Sequence, residues 1–121
     1  MADWGMVRSF ALKLPEVTER DTKFFVLDKQ FAWPWLKRIA PKKPRVPCFD
    51  ILAVRVKNEA MKVELITEEP DIFFTEPHYN GYPAILVRLD KIEFEELAQV
   101  LQEGWRAQAP AKLILKLDAS A

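Results

Sequence analysis

Only one cysteine, one histidine and three glycines occur among the 121 residues of this chain, and its formal net charge is zero. Each shortage closes a class of function. A lone Cys48 can form no internal disulfide and suits a reducing compartment. With Cys48 and His78 standing alone, clustered thiolate and imidazole metal ligands and most nucleophilic triads are excluded. The longest apolar runs, such as Phe24 to Leu27 and Ala84 to Val87, are four residues, against the roughly 20 needed to span a bilayer. Met1-Ala2-Asp3-Trp4 has neither the basic nor the apolar region of a signal peptide. The expectation is a cytoplasmic protein with no membrane partner, no metal and no cofactor. Charge balance argues against coating nucleic acid by bulk charge, which is driven by counterion release at many phosphates.

Hydrophobic residues make up 50% of the chain, enough for one domain, expected over 1–121, with a core that needs no staple. The zero charge hides a pattern. Residues 37–62 carry eight basic side chains against two acidic ones, and residues 63–121 carry five against eleven. The plainest reading places the two blocks on different faces that neutralise each other; the sharper one is a local basic patch.

Asp3 can cap a helix over 4–13, where Met6, Val7, Phe10, Ala11 and Leu14 form one apolar stripe before Pro15. After a polar stretch over 16–22, residues 23–27 and 30–36 read as a hairpin, with Pro34 demanding a sheet edge. Prolines at 41, 44 and 47 predict an extended loop. A strand over 50–57 should face Leu52, Val54 and Val56 to the core. Asn58 caps a helix over 59–68. Strands over 71–76 and 84–89 flank a wide loop containing Asn80-Gly81. Asp90 and Glu93 read as a capping box, with Leu89 and Phe94 as its staple, for an amphipathic helix ending near Ala109. Leu113, Leu115 and Leu117 fit a further short helix or a strand, with helix favoured. The order α-β-β-β-α-β-β-α predicts an α+β two-layer sandwich, an antiparallel sheet of about five strands covered on one face by helices.

The stretch from Leu14 to Glu19, the long block from Asp71 to Leu89, and Trp105-Arg106 followed by Ala109-Pro110 resemble the MmcQ/YjbR-like family of small bacterial proteins. That resemblance implies a double-wing α+β fold related in shape to secretion chaperones. It also implies the label DNA-binding, which rests on fold analogy, and it brings no catalytic residues with it.

Two constellations carry chemistry. Trp33, Pro34 and Trp35 lead into Lys37, Arg38, Lys42, Lys43 and Arg45. Rings that stack on bases beside cations that meet phosphates are the pairing used by nucleic-acid binders. Alternation would place Phe31, Trp33 and Trp35 together on the helix-covered face, so the rings also have a purely structural reading. The second constellation is the loop His78, Tyr79, Asn80, Gly81 and Tyr82. His78 carries the chain's one imidazole and can serve as a base, but a hydrogen bond that fixes the loop is the plainer role. Arg55 and Arg88 are candidate anion contacts on the open sheet face. The expected function is non-enzymatic nucleic-acid binding, weak and salt-dependent, through the basic proline-rich loop. The alternative is a protein-interaction or chaperone-like module using the exposed sheet face.

Overall fold

The computed structural model describes residues 1–119; positions 120 and 121 of the expected domain lie outside the described residues. The elements are α1 (Trp4–Lys13), β1 (Val17–Arg20), β2 (Lys23–Val26), β3 (Lys29–Arg38), β4 (Arg45–Arg55), α2 (Glu59–Glu68), β5 (Phe73–Phe74), a short 3-10 turn (Pro77–Tyr79), β6 (Ala84–Arg88), α3 (Phe94–Gln108) and α4 (Ala111–Ala119). Every strand pair is antiparallel, in the order β1-β2-β3-β4-β6-β5. The sheet has six strands rather than about five. The extra one is β1, which holds one large apolar residue, Val17, opposite Val26, and otherwise reads as polar chain. Asp21 and Thr22, both at positive φ, make its tight turn into β2.

All four helices pack on one face. Val7 and Ala11 of α1 and Leu97, Leu101 and Trp105 of α3 are buried with Leu52, Val54 and Val56, as the strand alternation predicts. Met61, Leu65, Leu113 and Leu117 from α2 and α4 pack at the margins. Gly104 sets the approach of α3 to β4. A Cβ there would lie 2.5 Å from Val54 Cγ2 and 3.1 Å from the Arg55 carbonyl oxygen. Asp3 and Asn58 cap as expected, each accepting at 2.9 Å from the amide three residues on. The capping box at Asp90 does not form. Ile92 is fully buried and enters the core before the helix begins, so Glu93 becomes the N-cap without a side-chain hydrogen bond. Phe94 stays exposed against Phe10 at 4.9 Å between ring centroids instead of stapling to Leu89.

Two irregularities redirect the strands. Phe31 is an extra residue on β3 opposite β2. Phe49, Asp50 and Ile51 have no partner on β3. Bulges of this kind bend a strand and shift its alternation. Phe31 therefore joins the helix-side core, whereas Trp33 and Trp35 belong to the other face. The expectation that all three share one face is corrected by that extra residue.

Candidate functional site

The basic segment is mostly strand. Arg38 pairs with Arg45, Lys37 with Val46, Leu36 with Pro47 and Trp35 with Cys48, so the expected loop over 41–47 shrinks to residues 39–44. β2 reaches β3 only as far as Ala32, and β6 reaches β4 only from Ile51 onward. Residues 35–38 and 45–48 thus form a two-stranded ribbon with no strand on either flank. Pro34 and Pro47 fall where the β3–β4 pair has an open flank, the setting in which a missing donor is tolerated. The tip, residues 39–44, holds Ile39, which is 71% exposed, and Lys42 at φ 66°.

The five cations divide by role. Lys37, Arg38, Lys42 and Lys43 are exposed. Arg38 also donates to the Lys43 carbonyl at 3.0 Å, closing the tip. Arg45 is half-buried and donates to the Leu36 carbonyl at 2.8 Å, with the Glu76 carboxylate 3.9 Å away. Among the described residues, that contact is the ribbon's one ion pair, and none reaches the acidic side chains of α2 or α3.

The sheet face away from the helices is not open. Trp33, Ala53, Tyr79, Ala84 and Leu86 form a second buried cluster, with Trp35, Ile51 and Phe74 packed against it. The loop after β5 folds over this face, and the Trp33 indole donates to the Tyr79 hydroxyl at 3.1 Å. Burial pushes the Tyr79 phenol above its ordinary value, and that hydrogen bond works in the opposite direction. Trp35 is half-buried and meets Phe74 edge-on at 6.1 Å, so it offers no free stacking platform. Its indole nitrogen is buried with no hydrogen-bond partner among the described residues. Arg55 and Arg88 lie on this face but are engaged. The Arg55 side chain donates to the Pro83 carbonyl at 3.1 Å, and Arg88 stacks 4.1 Å from the Phe74 centroid.

The loop over 77–83 is fixed by a residue that sequence reasoning passed over. Lys62 on α2 is only 3% exposed, and its Nζ donates to the carbonyls of Tyr79 at 2.6 Å and Tyr82 at 3.0 Å. The available signal was its spacing. Lys62 stands three and four residues before Leu65 and Ile66, on the apolar stripe of the helix. Gly81 supplies the turn with φ +77°. His78 is exposed and touches Tyr79 at 5.7 Å between centroids. It makes no side-chain hydrogen bond among the described residues, so the expected fixing role belongs to Lys62. Asn80 is exposed beside it. Cys48 lies opposite Trp35, with no hydrogen bond to His78 among the described residues.

Between ribbon and loop lies a cleft of about 430 Å³. Lys23, Gln30, Trp33 and Leu36 line its sheet side. His78, Tyr79 and Tyr82 line its loop side. On the helix face, a smaller apolar groove of about 190 Å³ separates α2 from α3, with Glu64, Glu96 and Glu103 on its walls. Burial, then a hydrogen bond with Glu69, push the Glu96 carboxyl up to about 7. Among the described residues, no helix is long and apolar enough to cross a membrane.

Comparison with known proteins places this arrangement. Uncharacterized protein Mb2600 of Mycobacterium bovis and Uncharacterized protein Rv2570 of Mycobacterium tuberculosis are each 48% identical to the chain over 68 residues. The match covers 56% of this chain and 53% of each relative, so it spans about half the length of either. No solved structure matches. The model of the YjbR family matches residues 12–107, from the end of α1 through nearly all of α3. The chain belongs to the YjbR family.

Proposed function

We propose that the protein binds nucleic acid, without catalysing a reaction on it, through phosphate contacts made by the β3–β4 ribbon. The observation that carries this reading is the set of four exposed cations, Lys37, Arg38, Lys42 and Lys43, free of any carboxylate among the described residues. A two-stranded ribbon is one of the two elements that enter the major groove of DNA, and clustered cations gain affinity by releasing counterions. The alternative, a protein segment laid on the bare sheet face, is disfavoured because the second aromatic cluster and its loop occupy that face. A cytoplasmic location belongs with the same proposal.

Arg45 serves this reading as a positioning residue, since it ties β4 to the Leu36 carbonyl. The variant that tests the surface therefore spares it and combines Lys37→Glu, Lys42→Glu and Lys43→Glu. Four phosphate contacts predict a slope of log affinity against log salt of about −3.6 on duplex DNA and about −2.8 on a single strand. Fluorescence anisotropy with labelled oligonucleotides measures both. The charge-reversed variant should lose binding at low salt while melting at the wild-type temperature. Equal affinity of variant and wild type would remove the ribbon from the proposal.

A further inference from the structure

Tyr82 differs from its aromatic neighbours in being 42% exposed, while Trp33 and Tyr79 are each 7% exposed. Its ring is held rather than free. The Arg55 guanidinium carbon lies 5.1 Å from its centroid, and the rings of Trp33 and Tyr79 lie at 6.5 Å and 6.2 Å, tilted against it. Its backbone is fixed as well, by Lys62 on the Tyr82 carbonyl and by Arg55 on the next one, Pro83. An aromatic plate immobilised in this way loses little conformational freedom when a second ring stacks on it.

The plate lines the cleft of about 430 Å³, within the size range of small-ligand clefts. Among the described residues no carboxylate lines that cleft, and Lys23 and His78 do. Gln30 adds an amide with both donor and acceptor capacity. The cleft is also continuous with the ribbon. Leu36 lines it, and Arg45 donates to the Leu36 carbonyl at 2.8 Å. In a duplex both faces of a base are covered by its stacked neighbours, whereas an unpaired base leaves a face free for a protein ring.

The geometry points to a seat for one unpaired nucleobase in this cleft, stacked on Tyr82, so that the protein prefers single-stranded over double-stranded nucleic acid. This deepens the nucleic-acid reading and rests on it. The test uses an oligothymidylate of about 12 nucleotides and an abasic oligomer of equal length, which keeps the phosphates and removes the bases. Wild-type protein should bind the thymidylate about 5- to 150-fold more tightly than the abasic strand, the range expected for one stacked base. Tyr82→Ala should erase that difference by weakening thymidylate binding alone, and Tyr82→Phe should restore it. Equal wild-type affinity for the two strands would overturn the base seat while leaving the ribbon proposal standing. Equal weakening of both strands by Tyr82→Ala would overturn it too, because the ring would then support the ribbon rather than a base. Absence of wild-type binding to both strands and to duplex DNA would sink both proposals.

Discussion

Replacing Lys62 with methionine keeps the length and apolar stem of the side chain and removes only its charged head. The head donates to two carbonyls, those of Tyr79 and Tyr82. A hydrogen bond to a charged group contributes about 1.5–3 kcal/mol net, so the pair sets an upper limit of about 3–6 kcal/mol. Two effects reduce that figure. Each carbonyl keeps a backbone donor, Tyr82 N at 3.0 Å on Tyr79 and Ala84 N at 2.8 Å on Tyr82. The variant also no longer has to desolvate an ammonium group, which costs several kcal/mol when buried. The ion pair with Glu59, at 3.6 Å and half exposed on the glutamate side, adds little. The expected loss is about 1–3 kcal/mol, read from urea unfolding with unchanged m-value. Lys62→Ala should lose more, because the stem's packing goes with the charge. Stability of Lys62→Met equal to or above wild type would show that the ammonium does not fix the 77–83 loop and that the cleft is not preorganised by it.

Gly104→Ala opposes two effects of known sign: alanine favours a helix interior by about 1 kcal/mol, but its Cβ would sit 2.5 Å from Val54 Cγ2. Overpacking costs about 1–3 kcal/mol, so the variant should be destabilised in a thermal or urea melt, and a stabilised one would mean α3 can shift off β4. The Glu96 carboxyl, raised from 4.5 to about 7 by burial and by Glu69, holds its proton more tightly folded than unfolded. Its contribution to stability is therefore complete below the ordinary carboxylate range and is lost as pH rises through about 7. Melting temperatures between about pH 5 and pH 8 should fall less steeply in Glu69→Gln than in wild type, and parallel profiles would refute the pairing.

The helices were legible because their signals are local. Asp3 and Asn58 mark two starts, and the stripe of Leu97, Leu101 and Trp105 marks the buried side of α3. The strands were legible only where one face is apolar and the alternation unbroken, as at Leu52, Val54 and Val56. Where a residue is inserted, the period of two is the wrong ruler: one extra position at Phe31 sends Trp33 to the far face. At an edge, burial is too slight to write a pattern, which hid β1 between Val17 and Arg20. The basic residues themselves were plain in composition, but their division into exposed Lys37, Lys42 and Lys43 and anchored Arg45 depends on a cross-strand carbonyl that no local pattern announces. The burial of Lys62 is the same kind of fact, decided by two carbonyls 17 and 20 residues away.

Whether the β3–β4 ribbon and the adjoining cleft meet nucleic acid can be read residue by residue in solution. The readout is the amide chemical shifts of the labelled protein, followed by NMR during titration with a short single-stranded oligonucleotide at low salt. Shifts should concentrate at residues 35–48 and 78–82, with the groove between α2 and α3 undisturbed. Shifts centred on Met61, Glu96 and Val100 would move the contact to the α2–α3 groove, and none anywhere at saturating oligonucleotide would rule nucleic-acid binding out.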